Sequence, residues 1–236
     1  MMPFLDIAGL QSGYGPIRIL WGVDLLLPAP GLACLIGANG AGKTTLLRTI
    51  SGLLPARSGK ILFGGSDMTC LRPDQILAHG IAHVPEGRRL FASMSVEENL
   101  LMGAYGRRSL ARQGLERAYV WFPRLAERRR QDGATLSGGE QQMCAIARGL
   151  MSAPKLLLID ELSLGLAPRI VDELIETLTT VAGAGTSILL VEQDVAVALD
   201  FCSVAFVLDR GRITLSGAAG DLAEDPRIQE AYLGLA

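Results

Sequence analysis

Apolar residues in this chain fall into short unbroken runs separated by longer stretches with helical spacing. Leu32-Ala33-Cys34-Leu35-Ile36, Leu156-Leu157-Leu158-Ile159 and Ile188 to Val191 are runs of strand length. Runs this continuous fit strands buried on both faces, as in a parallel sheet. Between the last two, Pro168 opens a helix in which Ile170, Leu174, Leu178 and Val181 recur at spacings of three and four. Strands alternating with helices in this way predict an α/β fold with a mostly parallel sheet and helices on each side.

The remaining pattern adds detail. Phe4 to Ala8 and Arg18 to Leu27 read as strands separated by the turn-rich Ser12-Gly13-Tyr14-Gly15-Pro16. Thr44 to Ile50 reads as a helix ended by Gly52, and Pro73 to His79 as another; Lys60 to Phe63 and Ile81 to Val84 read as strands. From Val96 to about Gln131 no strand run occurs, which predicts a mostly helical insertion. Val204 to Leu208 and Arg212 to Leu215 flank Asp209-Arg210-Gly211, a hairpin turn.

Composition sets bounds on this picture. A chain of 236 residues, 49% apolar and 19% charged, holds one large domain or a domain with an inserted subdomain. The formal net charge of -2 gives no general attraction to nucleic acid. Arginine clusters at Arg88-Arg89, Arg107-Arg108 and Arg128-Arg129-Arg130 read as solvated faces. Cys34, Cys70, Cys144 and Cys202 have no paired spacing and read as small apolar residues in a reducing compartment. No signal peptide and no apolar run of ~18 residues is visible, so an intracellular chain without a spanning segment is expected.

The candidate chemistry centres on Gly37-Ala38-Asn39-Gly40-Ala41-Gly42-Lys43-Thr44-Thr45, which fits G-x-x-x-x-G-K-[ST]. It lies between a buried strand and a helix, where glycines let several backbone N–H groups and a helix N-terminus converge on one anion. Lys43 would reach the outer phosphates and the Thr44 hydroxyl would ligate Mg²⁺. A nucleoside triphosphate is the expected ligand.

Two further segments carry charge or glycine at telling places. The run ending at Ile159 leads into Asp160-Glu161, and carboxylates at the C-terminal end of a parallel strand face the ligand crevice. Asp160 fits a role in holding Mg²⁺, and Glu161 a role in polarising the attacking water. Alone, such a pair also fits a strand leaving into solvent. Leu136-Ser137-Gly138-Gly139-Glu140-Gln141-Gln142 reads as a helix start, with Ser137 as N-cap and Glu140 completing a capping box. The same geometry would let an anion approach Ser137, Gly138 and Gly139, and the motif by itself does not separate the two readings.

With these three segments in this order, the chain resembles the nucleotide-binding domain of ABC transporters over essentially its whole length. GANGAGKTT resembles the Walker A loop, LLLIDE the Walker B strand and LSGGEQQ the signature motif. The resemblance implies a P-loop NTPase (RecA-like) core, an N-terminal antiparallel β-subdomain and an inserted α-helical subdomain. The expected division is a core of residues 1–85 and 153–236 with a helical subdomain of residues 86–152. It implies two such domains stacked head to tail, each ATP lying between one phosphate loop and the other subunit's Ser137, Gly138 and Gly139. Tyr14 matches the residue that stacks on adenine, and Ser163 to Leu166 match the D-loop.

Three positions depart from the family pattern. Glu86 stands where a glutamine is usual and can still give an oxygen to Mg²⁺ or water. Gln193 stands where the switch histidine is usual and can donate a hydrogen bond to the γ-phosphate but cannot titrate near neutral pH. Leu162 replaces a usual proline, so a less rigid turn after Glu161 is expected. His79 and His83 fall at neither catalytic position.

VPEGRRLF, SVEENL, LGLAP, LVEQD and EAYLG are similar to one of the paired ATPases of branched-chain amino acid importers, with urea and short-chain amide importers close behind. The resemblance implies ATP hydrolysis driving uptake on the inner face of the cell membrane. Its implied partners are permease subunits, a second ATPase subunit (a heterodimer favoured over a homodimer) and, indirectly, a periplasmic or extracellular solute-binding protein. A nucleic-acid-associated ATPase fits less well, because the chain has neither a long coiled-coil insertion nor a second ATPase domain. A weakly hydrolysing ATP-binding partner is the other alternative; Glu161 and an intact LSGG argue against it.

Overall fold

The computed structural model describes residues 3–230. In chain order, β1 (Leu5–Tyr14), β2 (Ile17–Leu27) and β3 (Leu32–Ile36) precede α1 (Lys43–Ile50); β4 (Ser58–Phe63) and β5 (Ser66–Asp67) precede α2 (Pro73–His79). After β6 (Ile81–Val84) come α3 (Val96–Gly103), α4 (Ala111–Trp121), α5 (Pro123–Glu127) and α6 (Gly138–Leu150), with two short 3₁₀ segments among them. The chain continues through β7 (Leu156–Asp160), α7 (Pro168–Gly183), β8 (Ser187–Glu192), α8 (Val195–Phe201), β9 (Val204–Asp209) and β10 (Arg212–Ala218). EAYLG falls almost wholly after residue 230, outside the described residues.

Two compact units share these elements: one runs to Ile76 and resumes at Leu189, the other spans Leu77–Ile188. The first holds an antiparallel sheet of order β2-β1-β4-β5 and a second sheet portion of order β10-β9-β3-β8. β3 runs parallel to β9, with Ile36 beside Val207, and β10 closes antiparallel on β9. Every residue from Ala33 to Ile36 is buried, as the unbroken apolar run requires. Arg210 (φ 45°) and Gly211 (φ 75°) make the tight two-residue turn of that hairpin, both left-handed.

The second unit pairs β6 with β7 in parallel, Val84 beside Ile159, and carries α3 to α7. α6 buries most of its length, including Met143, Cys144, Ile146 and Ala147. Burial pushes the Cys144 thiol up to about 11, so it stays protonated and apolar in character at neutral pH.

Two local expectations are corrected. β1 and β2 continue through the segment read as turn-rich, with Tyr14 opposite Ile17 and only Gly15-Pro16 turning. In α7 the inward residue of the first turn is Val171; Ile170 is half-buried and packs toward α6 instead.

Candidate functional site

In the first unit, β3 hands the chain to a loop whose shape depends on missing side chains. A Cβ at Gly37 would lie 2.2 Å from the Leu208 carbonyl oxygen, so the loop passes β9 too closely for any other residue. Gly40 (φ 80°) and Gly42 (φ 110°) are left-handed, and Gly42 sits at the N-cap of α1 without a side-chain cap. That leaves the positive end of the helix facing the loop. The Ala41 amide donates to Ala38 O over 3.1 Å, and the Gly211 amide donates to Ala41 O over 2.8 Å. The hairpin turn after β9 therefore helps shape the loop.

Lys43 is buried, and its Nζ donates to Gly37 O over 2.6 Å and to Ala38 O over 3.2 Å. An ammonium held inside a ring of backbone groups is placed for an anion seated in that ring. Thr44 follows, half-buried, at the start of α1, with Thr45 buried behind it. Asn39 and Gly40 are exposed on the loop's outer side. The cradle, the ammonium and the hydroxyl fit the phosphates of a nucleotide with a hard, oxygen-seeking cation.

Tyr14 is 41% exposed at the end of β1, and its phenol oxygen accepts from Arg48 Nη1 over 3.0 Å. Arg48 lies in the last turn of α1, the helix that begins with Lys43. Arg57 Nη2 donates to Gly15 O and, over 3.1 Å, to Ile17 O, closing the same hairpin. Gln193 is exposed beyond β8, its backbone N–H donating to Oε2 of buried Glu192 over 3.2 Å. Asp194 caps α8 by accepting from the Val197 amide.

In the second unit, β7 ends in Asp160, which is 1% exposed, and Glu161, which is left-handed at φ 55°. A glutamate in that region carries strain of ~1–3 kcal/mol, a feature that clusters at functional sites. Leu162 is fully buried, so an apolar anchor follows Glu161 directly. Glu86 is exposed in the turn after β6.

The signature segment folds as its local chemistry requires. Ser137 caps α6: its Oγ accepts from the Glu140 amide, while Glu140 Oε2 accepts from Ser137 N over 2.9 Å and Oγ over 2.8 Å. Burial would raise the Glu140 carboxyl, but Arg128 and the Ser137 donors outweigh it and hold it below its ordinary value. A Cβ at Gly139 would lie 2.8 Å from Ile170 Cγ2, and one at Gly138 3.2 Å from Arg88 Nη1. The two glycines let neighbouring elements close against the helix start.

The structure thus gathers Tyr14, the phosphate loop and Gln193 in one unit, and Glu86, Asp160, Glu161 and the signature residues in the other. The arginine clusters depart from the solvated faces expected of them. Arg88 is half-buried and bonded to Gln141 and Leu164; Arg107 is half-buried and donates to Ser152 O and Ala78 O; Arg128 pairs with Glu140. Their neighbours Arg89, Arg108, Arg129 and Arg130 are exposed, as a solvated charge run would be, and Arg128 is exposed as well although it is ion-paired. Nothing in one sequence separates an anchoring arginine from a solvated one, since the acceptors, backbone carbonyls, the Gln141 amide and the Glu140 carboxylate, are remote along the chain.

A glycine-cradled lysine at a strand-to-helix turn, in a fold of this kind, defines a P-loop nucleotide-binding protein. The family profile described as ABC transporter matches residues 20–163. The chain is 44% identical to the high-affinity branched-chain amino acid transport ATP-binding protein BraG of Pseudomonas aeruginosa, over 98% of this chain and 99% of that protein. It is 33% identical to the probable branched-chain amino acid transport ATP-binding protein LivF of Archaeoglobus fulgidus, over 96% of this chain and 97% of that one. Among solved structures it superposes on the ADP conformation of an ATP-binding cassette of an ABC transporter with a TM-score of 0.84 at 26% identity, covering 99% of this chain and 100% of the other. The chain belongs to the ABC transporter family, as one of its ATPase cassettes.

Proposed function

We propose that this chain is the ATP-hydrolysing subunit of an importer for branched-chain amino acids. The observation that carries the reading is the 44% identity to BraG along nearly the full length of both chains. Tyr14 stacks on adenine. Gly37 to Thr45 cradle the phosphates, Lys43 neutralises the outer ones, and Ser137, Gly138 and Gly139 complete the site of a partner ATPase in a head-to-tail dimer. Glu161 holds and polarises the attacking water as general base, and Gln193 donates a hydrogen bond to the γ-phosphate. Thr44, Asp160 and Glu86 would hold Mg²⁺, which supplies charge neutralisation on the phosphates when bound.

In this reading residues 1–85 and 153–236 are the nucleotide-binding core and 86–152 the helical arm. The partner ATPase is a second, similar subunit, and the assembly sits on the inner face of the membrane beneath permease subunits. No helix among the described residues is long and apolar enough to cross a membrane, so spanning partners are required for transport. A groove of ≈ 320 Å³, lined by Leu77, Val84, Phe91, Met102 and Arg148 among others, offers the permease a docking place. Phe91 and Met102 are 44% and 40% exposed there.

The test is uptake of labelled leucine by cells whose only copy is the native chain or Glu161→Gln. Loss of uptake in the variant is expected. Unchanged uptake, with the variant present and inactive as an ATPase, would move the assignment to urea, amides or other polar solutes.

A further inference from the structure

The loop after β6 holds a backbone that the proposed chemistry does not by itself explain. Gly87, Arg88 and Arg89 are left-handed in succession, at φ 76°, 64° and 46°. Arginine gains nothing locally from that region, so surrounding contacts must hold it there. Arg148 supplies one: from α6, its Nη2 donates to Arg88 O over 3.1 Å while its guanidinium lies 5.6 Å from the Phe91 ring. Arg89 folds back in turn, its amide donating to Gly87 O over 2.6 Å.

This backbone aims the Arg88 side chain at two elements. Nη1 donates to Gln141 Oε1 and Nη2 to Leu164 O, each over 3.4 Å, and the guanidinium fills the space a Cβ on Gly138 would need. Gln141 has little freedom to respond otherwise. Its Nε2 donates to Leu136 O over 3.2 Å and to Gly133 O over 3.4 Å, the backbone leading into Ser137, so Oε1 is the atom left for Arg88. One guanidinium therefore spans the loop of Glu86, the start of the signature helix and the segment that follows Glu161. A planar fork with several donors can do this; a single ammonium cannot.

We infer that Arg88 is a positioning residue for ATP hydrolysis, fixing the signature helix start and the segment after Glu161 relative to the loop that carries Glu86. The inference rests on the nucleotide-site reading given above. Arg88 touches neither nucleotide nor water in this account; it acts through Gln141, Gly138 and Leu164.

The experiment measures kcat and KM for ATP on the purified, fully assembled importer carrying Arg88→Ala, Arg88→Lys, Gln141→Ala or the Arg88→Ala/Gln141→Ala pair, with melting curves for each. Misplacing catalytic groups by about an ångström costs up to ~10²-fold, so Arg88→Ala should lower kcat by roughly tenfold or more. KM should stay within about twofold, and the double variant should lie close to the worse single one, because the two side chains act through one contact. Arg88→Lys should recover part of the loss, since it keeps the charge but reaches one acceptor. A native kcat in Arg88→Ala overturns the inference. So does a loss carried by KM, a loss that tracks melting alone, or single effects that multiply. Lys43→Ala separates the two levels: if it hydrolyses ATP normally the nucleotide-site reading fails, whereas if it is inactive and Arg88→Ala is normal only the role of Arg88 fails.

Discussion

Arg48 Nη1 donates to the Tyr14 phenol oxygen over 3.0 Å, which ties the end of α1 to the end of β1. The helix that presents Lys43 at its first residue thus holds the proposed adenine platform at its last turn. In the proposed site, phosphate and base recognition would share one rigid element. Arg48→Ala should raise KM for ATP by roughly three- to tenfold, the range for one lost hydrogen bond, with kcat unchanged. Steady-state ATPase assays across ATP concentrations check this. An unchanged KM would mean that Tyr14 holds its place without the tether.

Lys43→Ala should abolish tight nucleotide binding, because it removes the buried side-chain cation that Gly37 O and Ala38 O hold in the loop. Titration with a fluorescent ATP analogue reads this directly. Normal affinity would remove the phosphate-loop assignment.

Glu161→Gln should keep ATP affinity while turnover falls ~10²–10⁴-fold, the usual contribution of a positioned general base. The left-handed backbone at Glu161 tolerates the isosteric amide, so folding should be unaffected. A single-turnover assay at saturating ATP measures the loss, and a near-native rate would place the base elsewhere.

Glu140 predicts a pH dependence of stability. Its carboxyl is held below the ordinary glutamate value, so the stabilisation from the capping box and Arg128 is complete above that ordinary value. It is lost as pH falls through the lowered value, where the carboxyl takes up a proton. Glu140→Gln should cost ~0.5–2 kcal/mol near neutral pH, as loss of a helix cap does, and the gap to the native chain should close in acid. Urea unfolding of both proteins at neutral and acidic pH is the measurement. A gap that does not change with pH would show that the carboxylate's charge contributes nothing.

Gln193→His should be tolerated, because Gln193 is exposed and serves only as a hydrogen-bond donor in the proposed site. The variant should acquire an added pH dependence of turnover centred near ~6.5. Complete inactivation would mean that the site is built around the amide.

The parts legible in the sequence were those with local causes. Gly37 to Thr45, the run ending at Asp160 and the Ser137–Glu140 box each specify their own backbone through φ preferences, burial or capping, so strand, loop and helix follow from neighbours in sequence. The hidden parts depend on residues distant in the chain. Tyr14 stays in a strand because its partner is Ile17 and its tether is Arg48, although Gly13, Gly15 and Pro16 all favour a turn. Ile170 leaves the buried stripe of α7 because Gly139 opens a hollow for it on α6. Arg88 looks like half of a charge pair until Gln141 and Leu164 are brought beside it.

Gly211 shows how far the nucleotide motif reaches beyond its own letters. Its amide holds Ala41 O, and a Cβ there would strike the Ile19 carbonyl oxygen at 1.9 Å. A fragment ending before β9 would contain every residue of the motif and lack both Leu208, against which Gly37 lies, and the turn that anchors Ala41. Such a fragment would match any motif search and have no reason to grip a phosphate. For this protein the unit of inheritance for nucleotide binding is the β3–β9–β10 scaffold with its loop, and natural variation at Arg210 or Gly211 belongs with variation in the loop itself.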